Sequence, residues 1–408
     1  MARWGTAGGK GRTARIALSA VVALGLLVFA GLAQAGTAGA AARATAAGWT
    51  STPLPAPAGA ASTSFEPLAI SCSAVTQCAA GGRYIDPTLP GVNPQGALLN
   101  WSGQQWSAVE APLPDDQTTG RQSAAVVSMS CPSVTVCFGG GYYENTTGNQ
   151  PLLLTWSGSA WSAAMAPMPA NASSNPDASV SGIACRSATW CMAAGQYDQY
   201  GLLLKWSGTS WTPAAAPAPA KTKGTDLFAI SCPSTTVCFA AGQYENAASA
   251  WRPDILRWSA GKWAPVAVPL PAGAAANPQA ILRGIACPSA TRCVAAGSYY
   301  DSRGHQQGVL LSWSGTKWTA AKPPLPANAG SYPGPDLFAV ACPGTSKCTA
   351  VGTYRTATKW AGLILTWSGK GWTAGSAPGR AYQLVSISCP AVTDCVAVDS
   401  GRLALTGP

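Results

Sequence analysis

The sequence predicts an all-β fold: a seven-bladed β-propeller with four-stranded antiparallel blades, the last closed by the N-terminal strand. Three observations predict it. The 14 cysteines form seven pairs of spacing C-x5-C, with first cysteines 59, 54, 47, 55, 55 and 47 residues apart. Each unit divides into four short apolar stretches, and four strands in about 50 residues is the spacing of a propeller blade. The seventh unit stops after three stretches, and a match to the missing fourth stands near the N-terminus.

Composition agrees. Only 10% of the 408 residues are charged, while Gly (45) and Pro (33) are abundant, which suits short strands joined by turns rather than long amphipathic helices. The N-terminus reads as an export signal over residues 1–35. Arg3, Lys10, Arg12 and Arg15 form a basic head, Ile16 to Leu32 is an uncharged apolar run, and Ala33-Gln34-Ala35 fits the small-x-small cleavage pattern. The rival reading is an uncleaved membrane anchor, since the run is nearly long enough to span; the cleavage pattern directly after it favours removal. Removal takes the net charge from +10 to +6. A flexible linker over 36–46 and the propeller over 47–408 follow.

The elements of a unit come in a constant order. Strand A ends at the first cysteine, as in "LFAISC" (Leu227–Cys232), and a five-residue turn such as "PSTTV" reverses the chain. Strand B begins at the second cysteine, as in "CFAAGQY" (Cys238–Tyr244). A variable loop follows. Strand C is apolar and ends at a tryptophan, as in "LLLKWSG" (Leu202–Gly208). A tight Ser-Gly turn leads to strand D, which opens on a second tryptophan and runs into a Pro-rich segment such as "APLP" (Ala111–Pro114). The tryptophan pairs are Trp101/Trp106, Trp156/Trp161, Trp206/Trp211, Trp258/Trp263, Trp313/Trp318 and Trp367/Trp372. Large rings suit the wide outer part of the wedge between blades, and small residues after the second cysteine suit the narrow inner part.

Evenly paired cysteines in an exported chain imply disulfides within each pair: Cys72/Cys78, Cys131/Cys137, Cys185/Cys191, Cys232/Cys238, Cys287/Cys293, Cys342/Cys348 and Cys389/Cys395. Zinc is the rival, but it needs histidines or four-cysteine sets at finger spacing, and the chain has one histidine. Each short loop so clamped is worth roughly 2–2.5 kcal/mol in the chain-entropy view. In the last unit, "VSISCPAVTDC" (Val385–Cys395) starts normally, but the chain ends at "RLALTGP" with no strand D. "GWTSTPLP" (Gly48–Pro55) matches "SWTPAAAP" (Ser210–Pro217). Leu405 then stands at the place of the first tryptophan and Trp49 at that of the second. Closure removes free sheet edges.

With S-C-P-S-x-x-x-C-x-A-x-G and W-S-G-x-x-W as its repeats, the chain resembles a family of uncharacterised secreted bacterial β-propeller proteins over about residues 47–408. The resemblance implies the fold and export and carries no activity. The sialidase-like propellers offer an enzyme analogy, but their S-x-D-x-G-x-x-W box is not intact here, and WD40 and kelch signatures do not repeat.

Candidate site residues follow from strand order. The A–B and C–D turns are short and constant and share one face; the D–A and B–C loops vary and share the other, where function is grafted. Strand B ends in G-x-Y on the variable face. The tyrosines Tyr84, Tyr143, Tyr197, Tyr244, Tyr299 and Tyr354 read best as packing under their own D–A loops, with an aromatic rim for sugars as the alternative. The residues between are polar and differ: Arg83, Tyr142, Gln196, Gln243, Ser298 and Thr353. They are ligand candidates, with plain solvation as the equal alternative. Residues that break the repeat are further candidates. Asp399 replaces the strand B glycine of blade seven. Arg283 holds a strand A position occupied elsewhere by Leu68, Val127, Ser181, Phe228, Phe338 and Val385. Trp251 and Trp360 lie in B–C loops. Arg283 and Asp399 suit either a charged ligand or a bridge between blades. His305 alone is weak evidence for catalysis.

The reading that fits these features is a secreted, disulfide-stabilised module that binds a glycan or an extracellular protein, as a monomer and without a cofactor or metal. A basic run with interleaved aromatics is missing, which argues against nucleic acid. Membrane contact is expected only if the N-terminal segment stays attached. The alternatives are a glycoside hydrolase or lyase and a structural cell-surface protein. Hydrolysis needs two carboxylates at one centre. Asp115, Asp116, Asp301 and Asp399 are the candidates, and no spacing joins them.

Overall fold

The computed structural model describes residues 46–61, 64–88, 94–117 and 123–408. The signal peptide expected over 1–35 and residues 36–45 of the expected linker lie outside the described residues; Ala46 N–H donates to Ser376 O. The described chain forms seven four-stranded antiparallel sheets. Strand β1 is Thr50–Pro53. Blade one is β2 (Glu66–Ala74), β3 (Gln77–Ile85), β4 (Pro94–Trp101) and β5 (Trp106–Glu110). Blade two is β6 (Ala124–Ser133), β7 (Val136–Asn145), β8 (Gly148–Trp156) and β9 (Trp161–Met165). Blade three is β10 (Ser179–Ser187), β11 (Trp190–Tyr197), β12 (Tyr200–Trp206) and β13 (Trp211–Ala215). Blade four is β14 (Gly224–Ser231), β15 (Cys238–Glu245), β16 (Trp251–Ser259) and β17 (Lys262–Pro265). Blade five is β18 (Ile281–Ser289), β19 (Arg292–Tyr300), β20 (Gln306–Trp313) and β21 (Trp318–Ala321). Blade six is β22 (Asp336–Gly344), β23 (Lys347–Arg355), β24 (Trp360–Trp367) and β25 (Trp372–Ser376). Blade seven is β26 (Leu384–Ala391), β27 (Asp394–Asp399) and β28 (Leu403–Gly407), completed by β1.

The first strand of each blade is innermost and neighbours its counterparts on both sides, with β26 meeting β2 to shut the ring. Disulfides join Cys72 to Cys78, Cys131 to Cys137, Cys185 to Cys191, Cys232 to Cys238, Cys287 to Cys293, Cys342 to Cys348 and Cys389 to Cys395, each within one hairpin as expected. The strand ends around them need correction. Only in blade four does the second strand begin at its cysteine, Cys238. In the other six it begins one residue earlier, ahead of Cys78, Cys137, Cys191, Cys293, Cys348 and Cys395. The reason is that pairing resumes beyond the disulfide, as Ala74 with Gln77, Ser133 with Val136, Ser187 with Trp190, Ser289 with Arg292, Gly344 with Lys347 and Ala391 with Asp394. In those six blades a bulge near the first cysteine absorbs the surplus residue and the reversal is a two-residue turn, not five, whereas blade four keeps the five residues Pro233–Val237 between its cysteines.

The serine before the first cysteine has a role that the repeat alone does not reveal. Ser71 Oγ accepts from Cys131 N–H of the next blade at 3.0 Å, Ser130 from Cys185 and Ser231 from Cys287 at the same distance, and Ser388 from Cys72 across the closure at 2.9 Å. Blades three, five and six have Ala184, Ala286 and Ala341 at that position and make no such bond. Small residues on the second strands admit the neighbouring blade: a Cβ on Gly81 would lie 2.5 Å from Val126 Cγ1, and one on Gly140 2.6 Å from Val180 Cγ1. The tryptophan pairs flank the C–D turns with ring centroids 5.4–5.8 Å apart, as packing requires.

Closure by the N-terminal strand holds, with one correction. Thr50 faces Thr406 and Pro53 faces Leu403 across β1 and β28. The second cysteine sets the register of the third strand: Cys78 faces Trp101, Cys137 Trp156, Cys191 Trp206, Cys238 Trp258, Cys293 Trp313 and Cys348 Trp367. In blade seven Cys395 faces Gly407. Gly407, not Leu405, therefore stands at the place of the first tryptophan. Leu405 is a buried third-strand residue opposite Ala397. The Trp49 ring covers Gly407 so closely that a Cβ there would lie 2.3 Å from Trp49 Cδ2.

Candidate functional site

Two faces follow from this topology. On one, the C–D glycines pack on the A–B turns: a Cβ on Gly208 would lie 3.1 Å from Thr189 Cβ, and Trp206 Nε1 donates to Ala188 O. On the other face, six D–A loops open with the same turn, closed by bonds to the carbonyls of Pro57, Pro114, Pro169, Pro219, Pro271 and Pro326. In blades two, three and six the residue two after that proline is an acceptor for the blade's buried tyrosine. Asp116 accepts from Tyr143 Oη at 2.7 Å, Asn171 from Tyr197 at 2.9 Å and Asn328 from Tyr354 at 2.8 Å. Burial pushes the Tyr143 hydroxyl pKa well up, and Asp116 pushes it further. In blade five Gly273 stands there, and the buried Tyr299 hydroxyl has no partner among the described residues. The packing role of Tyr143, Tyr197 and Tyr354 is thus visible in the short pattern P-x-[DN].

The polar residues of G-x-Y each pair with the start of their own innermost strand, as Arg83 with Glu66 and Gln243 with Asp226. Arg83 makes a 2.7 Å ion pair to Glu66, and Gln243 Nε2 donates to Asp226 at 2.9 Å. Thr353 Oγ1 donates to Tyr382 O at 2.6 Å, Ser298 is buried, and Tyr142 and Gln196 are half-buried. Every innermost strand carries a β-bulge just beyond, where one residue has no cross-strand partner: Leu68, Val127, Ser181, Phe228, Arg283, Phe338 and Val385. Arg283 reaches into blade six, its Nε 3.6 Å from Asp336 Oδ1 and its guanidinium 5.4 Å from the Phe338 ring centroid.

Asp399 is explained by the glycine it replaces. In the other blades the strand A chain runs against this position; a Cβ on Gly141 would lie 1.9 Å from Ala125 O. With a side chain present, β26 pairs no further than Leu384. The fully buried carboxylate instead accepts the N–H groups of Tyr382, Gln383 and Gly401 at 2.7–2.9 Å. Burial raises its pKa and those three bonds oppose the rise. Asp301 accepts from Arg303 N, His305 N and Gln307 Nε2 within its own loop, while Asp116 also takes Asn145 Nδ2. Asp115 is exposed. These carboxylates lie in blades two, five and seven, and each of the three bonded ones is taken up within its own blade and the loop that leads into it.

Aromatic exposure is one-sided. Tyr200, Tyr300, Tyr332, Trp360 and Tyr382 are all exposed, and all lie at the variable face. Four of them belong to blades five to seven, where His305 also stacks on Tyr332 at 4.9 Å between centroids. Trp251 and Trp360 open the third strands of blades four and six rather than lying in B–C loops, because pairing there runs out to Glu245 and Arg355; Trp360 is 48% exposed, whereas Trp251 is half-buried near Gly224.

Blade four holds a cleft that sequence reading missed. In blades one, two, three and six the outer strands stay paired to a fifth residue, as Ala97 with Glu110, and an alanine N–H then bonds back, as Ala111 to Gly96 O. In blade four, pairing ends at Leu256 with Pro265, followed only by Val266 N–H to Ile255 O. Where the strands would next meet, blades one, two, three, five and six place a glycine or alanine on at least one side, down to Gly308 beneath Pro323 in blade five. Blade four has Pro253 and Val268 there, and the two larger residues do not close together. The opening is a cavity of about 520 Å³ lined by Pro219, Tyr244, Asn246, Arg252, Pro253, Asp254, Pro265, Val266, Ala267, Val268 and Leu270. Asp254 is 2% exposed, and its Oδ2 has no hydrogen-bond partner among the described residues. Burial pushes its carboxyl up to about 7, against the pull of the Ile255 N–H. The same register position carries Ala97, Leu152, Leu202, Val309, Leu363 and Leu403 in the other blades. Aligning strand C across the blades is the signal that finds it.

The fold and its clamps define a disulfide-stabilised seven-bladed β-propeller. No family model matches the chain, and no curated protein sequence matches it. Among solved structures it is similar to a streptogramin B lyase, at 11% identity over 88% of this chain and 98% of that one, with a TM-score of 0.52. YCF48 bound to D1 peptide matches at 13% identity over 88% and 96%, TM-score 0.48, and Trypanosoma rangeli sialidase at 9% over 88% and 59%, TM-score 0.45. Identities this low show the propeller fold alone. The seven disulfides favour an oxidising, extracellular setting. No helix among the described residues is long and apolar enough to cross a membrane.

Proposed function

We propose that this protein is exported by its N-terminal segment and acts as an extracellular binding module, with a glycan docking on the variable face at blades five to seven. The observation that carries the reading is the one-sided exposure of aromatic rings there: Tyr300, Tyr332, Trp360 and Tyr382. An exposed ring has a flat apolar face and, in tyrosine, a hydroxyl, which suits a sugar's apolar C–H face and its polar rim. The disulfide-clamped blades hold these loops on a rigid frame, so little ordering cost falls on binding. A glycan array probed with the purified protein tests this. A bound glycan class that is lost in Trp360→Ala, with the melting temperature unchanged, is expected. Binding of no glycan, or glycan binding indifferent to both Trp360→Ala and Tyr332→Ala, overturns it; a partner that proves to be a protein falls under the first outcome.

A further inference from the structure

We infer that the cleft in blade four is a second, separate site, which binds a small organic amine through an ion pair between its ammonium and Asp254. Three observations carry this. The cavity, about 520 Å³, is of the size that holds small molecules. One wall is apolar, from Pro253, Val266, Val268 and Leu270, and the other carries polar groups of Asn246 and Arg252, with the half-buried Tyr244 among them. One oxygen of a nearly fully buried carboxyl in that lining is unpartnered among the described residues. A buried carboxylate gains most from a donor that carries charge, because both the Coulomb term and the hydrogen bond strengthen away from water. An ammonium on an apolar body matches the acid and the walls together, and Tyr244 offers the cation an aromatic ring.

No cation among the described residues fills that role. Arg252, on the same strand, donates its Nη2 to Ala276 O at 2.7 Å, and Lys223 Nζ is bonded to Ser249. Lys205 of β12 sits over the Trp258 ring, and Lys221 is exposed. On β15 the titratable group in the lining is Tyr244, and residues 266–280 of the departing loop hold no ionisable side chain. Asp226 of β14 is outside the lining and bonded to Gln243. Asp254 is the one carboxyl of the lining.

Calorimetric titration of the purified protein with benzylamine and cyclohexylamine, against benzyl alcohol and cyclohexanol, tests the inference. At pH 8 the amines should bind at least about tenfold tighter than the alcohols of the same shape. Moving to pH 5.5 should weaken the amines on the order of tenfold or more, because the competent, ionised fraction of Asp254 falls, and leave the alcohols unchanged. Asp254→Asn should abolish both the preference and the pH dependence. Absence of amine binding at millimolar concentration, equal binding of amine and alcohol, or amine binding unchanged in Asp254→Asn would each overturn the inference. None of these outcomes bears on the aromatic face of blades five to seven, which Trp360→Ala reports separately.

Discussion

Replacing Asp254 with leucine puts back the residue that blades two, three, six and seven carry at this position: Leu152, Leu202, Leu363 and Leu403. The wild-type carboxyl has its pKa raised from 3.8 to about 7. A raised carboxyl means that the folded state holds its proton where the unfolded chain has lost it. Stability therefore falls as pH rises through that window, and the full penalty is present above pH 7. At about 1.4 kcal/mol per unit, the penalty is about 2 kcal/mol at pH 5 and about 4 kcal/mol at pH 8. The variant lacks this loss, so its advantage over wild type should grow by about 2–3 kcal/mol between those pH values. Urea unfolding of both proteins with disulfides intact measures it, since Asp226 and Asp399, also raised by burial, are common to both and cancel. Two stability curves that run parallel from pH 5 to pH 8 would refute the reasoning.

Removing residues 46–55 strips β1 from β28 and takes away the buried Trp49 and Leu54. The loss should be about 4 kcal/mol or more from these two side chains, read as a lower melting temperature; an unchanged midpoint shows that the ring closes without the strand. Asn171→Ala leaves the buried Tyr197 hydroxyl without its acceptor. It should cost about 1–3 kcal/mol, and adding Tyr197→Phe should recover much of this. A neutral Asn171→Ala in denaturant unfolding removes the structural role given to the P-x-[DN] turn.

The blades were legible because their markers are local and strong. Cysteine spacing and tryptophan pairs sit at hairpin turns, where covalent and aromatic constraints act over a few residues. The same cysteines drew the strand ends too early, because a disulfide marks where two strands meet and not where their pairing stops; Ser133 and Val136 still pair beyond the Cys131–Cys137 bond. Register inside blade seven was not legible, because glycine carries no pattern: Gly407 left no trace of its place opposite Cys395, and the apolar Leu405 drew the tryptophan's label instead. The serine before the cysteine was visible as a repeat, but its bond runs to the next blade, and only the ring brings Ser71 to Cys131. Arg283 and Asp399 stood out as departures, while their partners, Asp336 and the Tyr382–Gln383 backbone, depend on how the loops fold. Asp254 was hidden inside an apolar stretch whose variation from blade to blade reads as ordinary.

A repeat protein supplies its own control experiment, since six other blades show what each position is when packing alone decides. Four departures from the repeat can be sorted on that basis. Gly407 is covered by Trp49; Arg283 is met by Asp336 and Phe338; Asp399 is held by three backbone N–H groups. In each case the changed residue arrives with a partner that stabilises it inside the fold. Asp254 is different. Its Oδ2 has none among the described residues, the outer strands beside it part early, and the blade is left with a cavity and a carboxyl that weakens the fold as pH rises. Departures of this kind persist where a site needs them, because function tolerates a local loss of stability that packing does not. That asymmetry, rather than any single distance, is why the amine titration and the Asp254→Leu unfolding curve belong together. Leucine should make the protein more stable and deaf to amines, and a variant that gained stability while still binding benzylamine as wild type would break the link between the two.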